Sequence, residues 1–238
     1  MTEFQENDAS WLLQYRRKIT SQFGEDGVIE KIFKTIGEGK RWCVEFGAGN
    51  GKYRSNTWNL IANCGWSGVE IESNYAEYKE LIKNHSAHNI FSFNTLVSFR
   101  EPDSLDSILK RTSIPRNFDF LCIDVDGNDY HIWESLKGYE PRVVMIEYNK
   151  TIPADIVFIQ PRDMSIRWGS SLAAMVKLGK TKGYELVYAY SVNAIFVKRE
   201  YFSSFGIRNN SPAAFLKDRG IYTPVSYTHL TLPTTPYV

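Results

Sequence analysis

The 238-residue chain lacks most features of a secreted, membrane-spanning or nucleic-acid-binding protein. Its 3 cysteines, Cys43, Cys64 and Cys122, are odd in number and sit in no C-x-x-C spacing. That argues against both a disulfide framework and a cysteine zinc site. Apolar runs such as Val143-Val144-Met145-Ile146 fall far short of the ~20 residues that cross a bilayer, so no membrane partner is expected. The start, Met-Thr-Glu-Phe-Gln-Glu-Asn-Asp, is acidic and polar, without the basic-then-apolar order of a secretory signal. A cytoplasmic location is the expectation. A large charge of one sign is also missing: 28 Lys+Arg oppose 27 Asp+Glu, for a net charge of +1. This balance disfavours nucleic acid as a partner. What is present is apolar material, 43% of residues, enough at this length for one full core. Disorder is excluded as the main state.

Residues 225–238 stand apart. Val225–Thr234 reads VSYTHLTLPT and resembles the conceptual translation of a sequencing-adapter sequence over its full length. The expected organisation is an N-terminal helical segment, 1–37, packing on an α/β domain, 38–224, followed by a non-native tail, 225–238.

Within the domain, apolar runs alternate with helical periodicity. Strands are expected at Trp42–Phe46, Gly68–Glu72, Ile90–Val97, Phe118–Val125 and Arg142–Tyr148. Between them, Ser55, Asn74, Asp103 and Asp129 read as helix caps. Such alternation implies a parallel sheet covered on both faces, a Rossmann-like three-layer sandwich. Ser171–Lys180 then reads as a helix, and Tyr184–Tyr190 and Ala194–Arg199 as strands. Only three residues separate these strands, too few for a parallel crossover, so they form an antiparallel hairpin. Ahead of the sheet, Trp11–Ile19 and Asp26–Ile36 are expected as helices. Residues 150–170, irregular and Pro-containing, are placed as a substrate-covering loop.

Three constellations carry chemistry. Glu45-Phe46-Gly47-Ala48-Gly49-Asn50-Gly51 follows a strand and precedes a helix, as a nucleotide-binding glycine loop must. Lys52 occupies the position where the dinucleotide fingerprint requires its third glycine. Glu72 ends the second strand, where an acid can accept hydrogen bonds from both ribose hydroxyls. Asp124, Asp126, Asn128 and Asp129 crowd the end of strand four, and Glu147 and Asn149 the end of strand five. Carboxylates at that edge can neighbour a cation, position a hydroxyl or act as a base. Asp126, Glu147, His131 and Asn149 are the candidates for the catalytic edge, and no required metal is expected. Gln22, Glu25 and Asp26 are expected to shape the N-terminal side of the pocket.

The runs Ser21-Gln22-Phe23-Gly24-Glu25-Asp26-Gly27, Val44-Glu45-Phe46-Gly47-Ala48-Gly49, Ile123-Asp124-Val125-Asp126-Gly127 and Asn193-Ala194-Ile195-Phe196-Val197 resemble FkbM-like class I methyltransferases over roughly residues 20–200. Asp126 stands where the commoner pattern has glutamate. The resemblance implies a seven-stranded, mostly parallel sheet with an antiparallel C-terminal strand, and S-adenosylmethionine as methyl donor. It implies a cofactor loop of Glu45, Gly47, Gly49 and Gly51, with Glu72 on the ribose and Asp124 beside the methionine moiety. The implied acceptor is a hydroxyl of a sugar, glycan or other small molecule. Two other classes stay open: an NAD(P)-dependent oxidoreductase, opposed by the glycine spacing and hairpin, and a non-catalytic S-adenosylmethionine-binding or interaction domain.

Overall fold

A computed structural model describes residues 8–216, so the expected tail at 225–238 lies outside the described residues. Seven strands form one sheet: β1 (Trp42–Phe46), β2 (Ser67–Ile71), β3 (Ile90–Phe93), β4 (Phe120–Ile123), β5 (Val143–Glu147), β6 (Tyr184–Tyr190) and β7 (Asn193–Lys198). Their order is β3-β2-β1-β4-β5-β7-β6. β1 to β5 pair in parallel, and β7 runs antiparallel between β5 and β6. The fold is therefore α/β and Rossmann-like, closed by the hairpin that its short connection demands.

The strands read as near-continuous apolar runs because both sheet faces are covered. Val44, Phe46, Val69, Ile71, Leu121, Cys122, Val144 and Ile146 are buried. Crossovers between parallel strands are right-handed. Progression from β1 to β3 in one direction and from β4 to β5 in the other therefore puts the connecting helices on opposite faces. The helices are α1 (Glu25–Ile36), α2 (Tyr75–Asn84), α3 (Leu105–Leu109), α4 (Asp129–Ser135), α5 (Leu172–Thr181), α6 (Arg199–Phe202) and α7 (Pro212–Leu216). α1 buries Val28, Ile29, Ile32 and Phe33, the face its periodicity predicts, and Phe33 packs against Trp66 at 4.9 Å between ring centroids.

Side-chain caps open α2, α3 and α5. Asn74 accepts from the amides of Ala76 (2.9 Å) and Glu77 (3.3 Å), and Ser171 accepts from Ala174 at 3.2 Å. Ser55 accepts from Trp58 at 2.9 Å, opening a short, wide helical turn at Asn59–Asn63. Ser104, rather than the expected Asp103, caps α3. The expected helix at Trp11–Ile19 is only a tight turn over Trp11–Tyr15. Beyond it the chain doubles back, with the Arg17 amide donating to the Gly24 carbonyl (3.0 Å) and the Gly27 amide to the Arg17 carbonyl (3.2 Å). No helix among the described residues is long and apolar enough to cross a membrane.

Candidate active site

The strand order reverses between β1 and β4, and in open α/β sheets such a switch point opens a crevice at the carboxyl ends of the strands. A cavity of about 840 Å³ lies there. Gly47, Ala48, Gly49 and Glu72 line one wall, and Asp124, Asp126 and Glu147 the other. Gln22 and Phe23 from the N-terminal segment and Val192 and Asn193 from the hairpin also line it.

Each residue of the glycine loop has its own reason. Gly47 adopts φ +71°, and a Cβ there would lie 1.9 Å from the Asp124 carbonyl oxygen. The loop after β1 thus leans directly on the end of β4, which only glycine permits. Gly49 donates its amide to Glu72 Oε2 at 2.8 Å, and a Cβ at Gly49 would meet nothing within 4 Å. Glu72 Oε1 accepts from the Asn74 amide at 2.6 Å. Glu72 therefore ties the glycine loop to the start of α2 while still facing the cavity. Gly51 differs from the expectation. It lies outside the cavity lining, and its carbonyl accepts from His85 Nε2 at 3.0 Å. A Cβ on Gly51 would come within 2.8 Å of the His85 ring, so packing explains this glycine.

Glu45 lines the cavity but is heavily engaged by its own chain. It accepts from Ser55 Oγ (2.6 Å), Thr57 Oγ1 (2.7 Å) and the Asn56 amide (2.9 Å). Behind it, burial and then the Glu45 charge push the Glu70 carboxyl well above its usual range. Thr57 Oγ1 also lies 3.0 Å from Glu70 Oε1. A hydroxyl has one hydrogen, so the consistent order is protonated Glu70 donating to Thr57 and Thr57 donating to Glu45.

The opposite wall depends on a turn. Asp126 has φ +52° and Gly127 φ +131°, which breaks the strand alternation that would send Asp124 and Asp126 to opposite faces. Asp129 holds this turn from inside, accepting from the Val125 amide (3.1 Å) and the Gly127 amide (2.9 Å). It is not the helix cap that the sequence suggests: Asn128 occupies that position. Asp124, Asp126 and Glu147 present oxygens within 4.8 Å of one another, a spacing that a divalent cation accepts and that exposed acids also adopt without one. Burial first, and then neighbouring carboxylates, raise Asp124 to about 7 and Glu147 to about 8. Asp129 is raised to about 6 by burial, against the pull of its amide donors. No ion pair among the described residues involves Asp124, Asp126 or Glu147. Asp124 and Glu147 are therefore harder to ionise than free carboxyls.

His131 and Asn149 do not join these acids. His131 Nε2 lies 2.8 Å from the Gln160 carbonyl, so that nitrogen carries the hydrogen, and its ring packs on Phe99 and Tyr130. Asn149 donates to the Trp168 carbonyl at 2.7 Å and accepts from the amide and hydroxyl of Thr151. Neither lines the cavity. Both fasten the 150–170 loop, together with Asn128, which donates to the Asp163 and Ile166 carbonyls. Gln160 completes the set, donating to the Ile166 carbonyl and accepting from the Trp168 and Gly169 amides. On the N-terminal side Gln22 lines the cavity. Glu25 accepts from Asn193 Nδ2 at 2.8 Å, and Asp26 gathers the amides of Ile19, Thr20 and Ser21. Sequence reading missed Tyr53, Arg54, Leu96, Lys150, Arg167 and Val192 in the lining. Their only signal is position, on loops that follow strand ends.

No protein-family model matches the chain, and no curated protein does. Solved structures do resemble it in shape. Magnesium protoporphyrin IX methyltransferase from Synechocystis PCC 6803, with bound SAH, is 12% identical with a TM-score of 0.46, over 73% of this chain and 80% of that one. The N-terminal domain of EvdMO1, in the presence of SAH and D-fucose, is 12% identical with a TM-score of 0.46, over 80% and 93%. A putative sarcosine dimethylglycine methyltransferase from Galdieria sulphuraria is 17% identical with a TM-score of 0.47, over 70% and 63%.

Proposed function

We propose that the protein is an S-adenosylmethionine-dependent methyltransferase acting on a hydroxyl of a sugar, glycan or other small molecule. One observation carries this reading. A glycine loop bonded to a strand-end acid, Gly49 to Glu72, shares a single cavity with the Asp124, Asp126 and Glu147 cluster. The fit to the donor rests on the donor set: open backbone at Gly49, a carboxylate at Glu72 for paired hydroxyls, and uncompensated acids that favour a sulfonium.

Gly47, Gly49 and Glu72 would hold the nucleoside, and Asp124 the methionine side. When bound, S-adenosylmethionine supplies a methyl group to the acceptor oxygen, and the electron pair of the broken carbon–sulfur bond stays on sulfur. The chain's own work is alignment and proton removal. A carboxylate oxygen of Asp126 or Glu147 takes the hydroxyl proton. Asp124 and Glu147, whose oxygens lie within 4.8 Å of each other, would hold that proton within the wall. The test is calorimetry with S-adenosylhomocysteine, NAD and NADP, followed by transfer of labelled methyl to metabolite fractions. Heat with the first alone, and label in product, is the expected result. Nicotinamide binding without S-adenosylhomocysteine binding would overturn the reading.

A further inference from the structure

We infer that the methyl acceptor is anionic, carrying a carboxylate or phosphate received by Lys150 and Arg167. The inference rests on the proposed function and adds the class of substrate. Both side chains line the cavity, and both are exposed. Neither takes part in an ion pair among the described residues; the third lining cation, Arg54, also lacks one and lies over the Tyr53 ring.

Their placement is built. Lys150 follows β5 three residues after Glu147. Arg167 is set by contact with the acid turn: a Cβ on Gly127 would come within 2.7 Å of the Arg167 Cα. Asn128, His131, Asn149 and Gln160 hold segment 160–169 at this spot, and the first, second and fourth of these are buried. Polar side chains buried for the sake of one loop give that loop a fixed course. The fixed course brings Arg167, which has no ion pair among the described residues, into the cavity lining next to the Gly127 turn.

The cavity lining thus carries both the acid cluster and these two cations. A neutral acceptor would leave both cations unused, and an acceptor anion directed inward would meet the carboxylates. An acceptor that points its hydroxyl at Asp126 and Glu147 and its anion at Lys150 and Arg167 satisfies both. Arginine forks suit carboxylate and phosphate equally.

The experiment separates a metabolite extract by anion exchange and supplies each fraction with labelled S-adenosylmethionine and the full chain. Label should enter the anion-retained fraction. Loss of retention after phosphatase identifies a phosphate, and persistence a carboxylate. Lys150→Gln and Arg167→Gln should each raise KM for that fraction about tenfold, leaving melting temperature and the calorimetric affinity for S-adenosylhomocysteine unchanged. Label confined to the neutral fraction, or in neither, overturns the inference. So do variants with unaltered KM, or a parallel fall in S-adenosylhomocysteine affinity, which would assign the cations to the donor. Failure of the wild type to bind S-adenosylhomocysteine would instead sink the underlying function.

Discussion

Glu72→Gln is the substitution that best isolates the donor side. It keeps an oxygen for the Gly49 amide but removes the charge that ribose hydroxyls would meet. Losing a charged hydrogen bond costs roughly 1.5–3 kcal/mol, so S-adenosylhomocysteine should bind at least tenfold more weakly by calorimetry. An unchanged affinity would remove Glu72 from donor binding. Asp126→Asn and Glu147→Gln should leave that affinity nearly intact and lower turnover by about 10²–10⁴, the usual worth of a general base. With Glu147 raised to about 8, turnover should climb with pH through that region, and Glu147→Gln should flatten the climb. Full turnover in both variants would show that the acid edge is not catalytic. These acids were legible because strand ends can be read from apolar runs, and acids at strand ends gather at one edge. His131 and Asn149 were not legible as loop anchors. A polar residue near a strand end reads alike whether it faces the cavity or the segment behind it, and the course of 160–169 is fixed only by long-range contacts.

Among elements, the junction of β1 and β4 is the least tolerant of change. Gly47→Ala would press a methyl onto the Asp124 carbonyl at a positive φ, and the cost should be ~3 kcal/mol or more. Calorimetric melting checks it, and a loss below about 1 kcal/mol would show that the loop can move aside. Removing a cap is milder: Asn74→Ala should cost about 1 kcal/mol. The strand-helix alternation, the Asn74 cap and the hairpin were all readable, since each has a local cause in periodicity, cap chemistry or connection length. Misread boundaries trace to side chains that act at a distance. β3 stops at Phe93 instead of reaching Val97, where Asn94 turns to donate to the Glu72 and Ser73 carbonyls. The helix expected at Trp11–Ile19 ends early because Asp26 captures the amides of Ile19, Thr20 and Ser21.

Across the whole molecule, buried titratable groups oppose one another in setting stability against pH. Asp124 and Glu147 have folded values above their ordinary ones of 3.8 and 4.5. The folded state therefore binds more protons than the unfolded one, and stability is lost as pH rises from about 4 through about 8. His85 works in reverse. Burial lowers it from 6.5 to about 4, so its contribution is full above 6.5 and lost as pH falls towards 4. Glu147→Gln should accordingly raise the melting temperature at pH 9 relative to wild type, and His85→Gln should reduce the loss between pH 6.5 and 4. A Glu147→Gln protein that melts no higher than wild type at pH 9 would show that this acid is not strained. The antiparallel course of β7 has a consequence for the order of assembly. It carries Asn193 back to the carboxyl edge, opposite Glu147, and onto Glu25, 168 positions earlier in the chain. That side of the pocket therefore depends on a long loop closure, whose entropy has to be met before the contact can form. A growing chain that has not yet released β7 from synthesis has every glycine and acid of the crevice and still lacks a wall. Ligand capture then reports completed folding, and a ligand at a hundred times its dissociation constant would deepen the native state by about 2.7 kcal/mol.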